Sequence, residues 1–193
     1  IIDILLVIRY YDYIRKEADK MDVARKFEAY TIDDIYSLPD GERAELIDGK
    51  IYYMAPPNTR HQRLVHFFDR EIGNYIQSHE GECEVFPAPF AIFLNKDDKN
   101  YVEPDISVIC DNDKITDKGC HGAPDWVIEI VSPSSKAMDY FTKLFKYKTA
   151  GVREYWIVDP MKQRVTVYLF EKESVEDYPF GIDIPVGIYA VSY

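Results

Sequence analysis

The chain has 193 residues, of which 47% are apolar and 30% charged, and it carries a net charge of -11. That length is most simply one domain with a sizeable core, and no apolar run approaches the ~20 residues of a membrane span. The acidic balance disfavours binding nucleic acid over the surface at large, because phosphates need positive potential, so any such surface has to be a local basic patch.

The opening run Ile1 to Ile8 is too short to span a membrane and lacks the basic start and small-residue cleavage site of a signal peptide. A cytoplasmic protein is therefore expected. Residues 3 to 25 then show helical spacing, with Tyr10, Tyr13, Ile14 and Ala18 among charges. We read residues 1–25 as an N-terminal helical extension, with Met21 as an alternative natural start, and residues 26–193 as a single domain. The aromatic-rich extension could serve as an interface in a homodimer.

Thr31 and Asp34 resemble a capping box at a short helix that Leu38-Pro39-Asp40-Gly41 ends. Asp48-Gly49 marks a tight turn joining strands Ala44 to Ile47 and Lys50 to Met54. Residues 59 to 78 form the clearest helix, with Leu64, Phe67, Phe68, Ile72, Tyr75 and Ile76 as its apolar stripe. Glu84 to Leu94 reads as one or two strands interrupted by Pro87 and Pro89. A polar turn to Asn100, a strand after Asp105, and a loop from Asp111 to Pro124 follow.

The run from Trp126 to Val131 reads as a buried strand ending at Ser132-Pro133-Ser134-Ser135. A helix from about Lys136 to Ala150 comes next, stopped by Gly151. Glu154 to Val158 and Arg164 to Phe170 make a further strand pair, and the loop-rich tail holds a last strand near Ile188 to Val191. This mixture predicts an α/β or α+β domain with a central mixed sheet. Cys83, Cys110 and Cys120 are odd in number and scattered, which reads as buried or idle thiols.

Two features carry chemistry. Asp105 opens one buried strand and Glu129 sits inside another. A buried carboxylate is costly without a cation or hydrogen bonds, so the pair points to a shared metal ion. On the helix that follows, Ala137, Phe141, Leu144 and Phe145 share the face expected to pack on the sheet. Asp139, Lys143 and Tyr147 fall on the opposite stripe. That stripe reads as an exposed face with an Asp139–Lys143 pair worth a few tenths of a kcal/mol, or as a means of bringing Lys143 to the strand ends beside Asp105 and Glu129. His61 opens the long helix. With His66 five positions on, it forms no zinc-protease motif. There is no Gly-rich phosphate loop and no nucleophile elbow.

These residues carry a resemblance. Glu45-Leu46-Ile47-Asp48-Gly49, Met54-Ala55-Pro56, His61, Pro104-Asp105-Ile106-Ser107-Val108, Val127 to Ser134, Asp139, Lys143, Tyr147 and Gly151 to Pro160 stand in that order. The series resembles the Uma-type family of putative restriction endonucleases within the PD-(D/E)XK nuclease superfamily, over roughly Tyr30 to Phe170. The resemblance implies a restriction-endonuclease-like fold, a mixed sheet flanked by helices. It implies Asp105, Glu129 and Glu45 as acidic metal ligands, joined by the Ile130 backbone carbonyl. Its superfamily lysine stands two residues after the second acid, where this chain has Val131, and Lys143 matches the family's lysine on the following helix. The implied activity is a Mg²⁺-dependent endodeoxyribonuclease, with Mn²⁺ as an alternative ion and DNA as substrate.

Within that reading Lys143 positions water or neutralises developing charge, and Tyr147 orients Lys143, contacts a phosphate or simply packs. Ser132 and Ser134 bind phosphate at the helix start or cap it. Lys136, Lys143, Lys146, Lys148 and Arg153 on one segment, with Arg60, Arg63 and Arg70 on the long helix, are the candidate basic lining. The rival expectation is a catalytically inactive nuclease-fold module that binds nucleic acid or regulates. A third is hydrolysis of another phosphate ester.

Overall fold

The computed structural model describes residues 29–133 and 135–189. The N-terminal extension, including Met21, lies outside the described residues. The order is α1 (Ile32–Tyr36), β1 (Ala44–Ile47), β2 (Lys50–Tyr53), α2 (Thr59–Ser78), β3 (Glu84–Pro87), β4 (Ile92–Phe93), β5 (Tyr101–Val102) and β6 (Ile106–Ile109). Next come β7 (Ile115–Thr116), β8 (Gly119–His121), β9 (Trp126–Ile130), a π-helical segment (Met138–Lys143) running into α3 (Leu144–Ala150), β10 (Glu154–Asp159), β11 (Arg164–Leu169) and β12 (Ser174–Pro179).

The mixed α+β fold is present, but its strands divide into two six-stranded mixed sheets. The first runs β2-β1-β5-β4-β8-β7 and the second β12-β11-β10-β9-β6-β3. In the second sheet β9 and β10 are parallel, Glu129 beside Ile157, and β6 runs antiparallel to β9. The region from Glu84 to Leu94 supplies one strand to each sheet, because the chain leaves β3 and re-forms as β4 beside β5.

Alternation along the central strands explains where the site lies. Trp126, Ile128, Ile130, Trp156 and Val158 face α2 and pack with Val65, Ile72 and Ile76. Val127, Val131, Tyr155 and Ile157 face the other way and pack with Ile47, Ile92 and Val102 of the first sheet and Tyr147 of α3. Glu129 shares the parity of Val127 and Val131, so it points into the space between the two sheets. In β1, Ala44 and Leu46 pack toward Ile35 of α1. Glu45, of the same parity as Ile47, therefore points toward Glu129.

Local signals perform as written in several places. Thr31 N donates to Asp34 Oδ2 at 2.7 Å, closing the capping box. Asp48 (φ 51°) and Gly49 (φ 71°) both take left-handed backbone at the hairpin, and a side chain at Gly49 would strike Ala29. Gly151 (φ 97°) ends α3.

Other expectations are corrected. On α2, Phe67 and Tyr75 lie in solvent while Val65 joins the core, a rotation of the stripe by less than one residue. The expected loop from Asp111 to Pro124 contains the β7–β8 hairpin. The tail forms β12 on β11, and Ile188 falls in a 3₁₀ turn (Gly187–Tyr189) held by Glu154, whose Oε2 accepts from Ile188 N at 2.9 Å. Residues beyond 189 are outside the described set. Cys83 and Cys110 are not idle thiols. They flank the Glu84–Ile109 pair of adjacent strands and form a disulfide, leaving Cys120 free and buried.

Candidate active site

Five elements converge between the sheets. β1 brings Glu45, the entry to β6 brings Asp105, β9 brings Glu129, the π-helical segment brings Asp139 and Lys143, and α3 brings Tyr147. Glu45, Glu129, Asp139, Lys143 and Tyr147 are all buried. Lys143 Nζ donates to Glu45 Oε1 at 2.8 Å and to Glu129 Oε1 at 2.9 Å. Tyr147 OH donates to the same Glu129 oxygen at 2.6 Å, and Glu103 N donates to Glu45 Oε1 at 3.0 Å. Asp105 Oδ2 accepts from Ile130 N at 2.7 Å and stands 3.1 Å from His61 Nε2.

The helix after β9 is therefore rotated away from its hydrophobic pattern, although Leu144 packs on the core as that pattern predicts. Phe141 and Phe145 are 74% and 64% exposed, whereas Lys143 is 5% exposed and Tyr147 fully buried. An amphipathic rule turns apolar side chains inward because nothing inside rewards a charge. Here two buried carboxylates do. An ammonium placed between them satisfies both, and this fixes the rotation. The π-helical turn, with its i to i+5 repeat, lies over this stretch and carries both Asp139 and Lys143 on the buried side. The Asp139–Lys143 stripe was visible in sequence, but its burial depended on acids contributed by β1 and β9.

The electrostatics show excess negative charge. Burial pushes Glu129 up to about 8, opposed by Lys143 and reinforced by Asp139, Asp105 and Glu45. Burial likewise raises Asp139 to about 6 despite the pull of Lys143. Lys143 is held well above its usual value because Glu129, Glu45 and Asp139 outweigh its burial. His61 is also raised: burial opposes its charge, but the bond and charge of Asp105 and the Ile130 backbone win. Four carboxylates thus face one fixed cation and one titrating ring.

Several residues that the sequence suggested for the site land elsewhere. Ser132 N donates to Ser135 Oγ at 3.0 Å and Ser135 N to Ser132 Oγ at 3.1 Å, so these serines close the turn before the helix. Ser134 lies outside the described residues. Among the basic candidates, Lys146 pairs with Asp48, Arg70 with Glu71, and Arg153 with Asp125 and Glu171. Sequence reasoning missed Glu103, which holds Glu45 through its backbone and takes Arg43 Nε at 2.9 Å and Tyr101 OH at 2.7 Å on its side chain. The signal available was Glu103 inside an apolar run, two residues ahead of Asp105.

Two mixed sheets enclose a lysine-bridged carboxylate cluster beside a parallel strand pair, in a restriction-endonuclease-like fold. The model of the family described as "Uma2: Putative restriction endonuclease" matches residues 27–182, and the chain belongs to that family. Its relatives include two Synechocystis proteins. Uncharacterized protein sll1609 is 28% identical over 66% of this chain and 72% of its own length. Uncharacterized protein slr1290 is 27% identical over 66% of each. A crystal structure of a putative nuclease belonging to DUF820 from Anabaena variabilis has a TM-score of 0.67 at 25% identity. That match covers 83% of this chain and 90% of the other.

Proposed function

We propose that this protein is a divalent-metal-dependent endonuclease that hydrolyses DNA phosphodiester bonds at the Asp105–Glu129–Lys143 cluster. The observation that carries the reading is the Lys143 ammonium on Glu129, delivered from the helix although Val131 occupies the usual lysine position. The donor set fits a hard cation such as Mg²⁺ or Mn²⁺: carboxylate oxygens of Asp105, Glu129 and Glu45 with the Ile130 carbonyl. The excess buried negative charge fits it too, since a divalent ion would offset what Lys143 leaves uncompensated. The bonds described above use Oδ2 of Asp105 and Oε1 of Glu129, and the second oxygen of each carboxylate stands outside them. When bound, such an ion supplies a lowered water pKa and stabilises charge on the phosphate.

The chain's own residues then have distinct roles. Asp105 is oriented by Ile130 N and His61. Glu129 is oriented by Tyr147 and Lys143. Lys143, once phosphate enters, offers its positive charge to the developing negative charge on the phosphoryl oxygens.

Two observations favour a second reading, the catalytically inactive module. Lys143 is bonded to two carboxylates at once. Among the described residues no three His, Cys, Asp or Glu side chains form a metal-holding group by themselves. Incubation with plasmid DNA and Mg²⁺ or Mn²⁺ separates the two. Nicking by wild type and its loss in Asp105→Ala support the enzyme. An inert wild type that takes up no Mn²⁺ in calorimetric titration supports the module and overturns the enzyme.

A further inference from the structure

Several basic side chains are already paired with carboxylates. Arg43, Lys146, Arg153 and Arg164 are each committed to carboxylates of Glu103, Asp48, Asp125, Glu171 or Asp177. At the end of β10 the balance reverses. Asp159 is 1% exposed and its Oδ1 accepts from Met161 N at 3.0 Å and Lys162 N at 3.1 Å. Its buried Oδ2 accepts no hydrogen bond from the described residues. Lys136 Nζ and Lys162 Nζ each stand 4.0 Å from that oxygen. Arg60 donates to the Pro160 carbonyl. Two ammoniums thus stand beside one carboxylate, and a guanidinium sits at the carbonyl of the next residue, three cations to one anion in a chain of net charge -11.

This cluster lies at the same sheet end as the acids. Asp105 enters β6, Ile130 N bonds to it at the end of β9, and Val131 N bonds to Val158 O of β10 at 2.8 Å, one residue before Asp159. Arg60 adjoins His61, which reaches Asp105. Neighbouring strands are about 4.8 Å apart, so the cluster is one strand beyond the Asp105–Glu129 centre. Crevices outside the carboxyl ends of parallel strands are where ligands of such sheets bind.

The lysines are also presented in fixed places. The Lys162 ammonium lies 5.5 Å from the Tyr140 ring centroid, and Lys136 begins the helix that carries Lys143. Both side chains remain about half exposed, 45% and 55%. Their donors face solvent, with the buried Asp159 carboxylate behind them.

We propose that Lys136 and Lys162, held beside Asp159, and Arg60, held at Pro160, form a clamp for a DNA backbone phosphate flanking the scissile one. The inference rests on the nuclease reading and adds the strand-anchoring contact to it. In this arrangement Asp159 is a positioning residue. It holds two ammoniums side by side that would otherwise repel, and phosphate oxygens complete their coordination on the solvent side. Phosphate contacts of this kind set register and carry the salt dependence of binding without reading sequence.

The test uses the full chain and a fluorescein-labelled DNA duplex, with binding followed by anisotropy in EDTA between about 50 and 200 mM salt. Lys136→Ala/Lys162→Ala is compared with wild type and with Lys118→Ala, an exposed lysine of the distant β7–β8 turn. Thermal unfolding confirms that each folds. The double variant is expected to bind about tenfold more weakly, with a salt slope shallower by about 0.9 for each phosphate it no longer neutralises. In cleavage assays its defect is expected mainly in KM. Lys136→Arg/Lys162→Arg is expected to restore binding. Unchanged affinity and slope in a folded double variant overturn the clamp even if wild type cuts DNA. If the double variant shows the expected losses in affinity and slope but wild type never cuts, the phosphate clamp stands and the nuclease reading falls. No DNA binding by wild type overturns both.

Discussion

Replacing Lys143 by methionine removes one charge and keeps most of the side-chain volume. In the wild type, Nζ donates to Glu45 and Glu129 at 2.8 and 2.9 Å in a site where all three residues are buried. Removing one partner of a buried ion pair costs about 3–5 kcal/mol, because the remaining charge stays desolvated. For a chain of this size each kcal/mol lowers Tm by about 2–4 °C, so Lys143→Met is expected to melt roughly 6–20 °C below wild type at pH 8. The deficit should shrink toward pH 5. Burial raises Asp139 to about 6 even against the pull of Lys143, so in the wild type it ionises within this range. Without the ammonium Asp139 and Glu129 each bind a proton even more readily, and a neutral carboxyl tolerates burial. Glu129→Gln/Lys143→Met should therefore lose less than the two single variants combined. Calorimetric melting of the four proteins across pH is the assay. A Lys143→Met Tm within a degree or two of wild type at pH 8, or strictly additive losses, would refute the bridging role.

The metal-free wild type should itself lose stability as pH rises from about 5 to about 8. The folded chain holds protons on Asp139 and Glu129, at about 6 and about 8, that the unfolded chain has released near 4. Holding each proton costs about 1.4 kcal/mol per pH unit, for Asp139 up to about 6 and for Glu129 up to about 8. Saturating Mg²⁺ should flatten this slope, and a slope of opposite sign would count against the charge balance described. Phe141→Ser and Phe145→Ser should each change stability by no more than about 0.5 kcal/mol, as exposed substitutions do. Tyr147→Phe, which removes a buried donor to Glu129, should cost about 1–3 kcal/mol, and the reverse order in thermal melts would restore the opposite helix orientation. Thiol titration in denaturant should find one free thiol per chain before reduction and three after. Cys83→Ser/Cys110→Ser should be destabilised by about 3–4 kcal/mol for a closed loop of 27 residues.

Local chemistry in the sequence was enough for elements whose causes are local. The Asp48-Gly49 turn, the capping box at Thr31 and the stop at Gly151 each depend on backbone geometry within a few residues, and each forms where its residues stand. The order of Glu45, Asp105, Glu129 and Lys143 likewise pointed to the cluster before any distance was known. Tertiary structure decided which way the helix after β9 faces. Its apolar stripe argued for Phe141 and Phe145 inward, and carboxylates from β1 and β9, 98 and 14 residues from Lys143, reversed that preference. It also decided that Cys83 meets Cys110, that the run after Pro87 changes sheets, and that Lys136 and Lys162 meet at Asp159 with Arg60 at Pro160. All of these rest on contacts between residues distant in the chain. Periodicity reports the average preference of a segment for water. The partner that a buried charge finds is set by the rest of the fold.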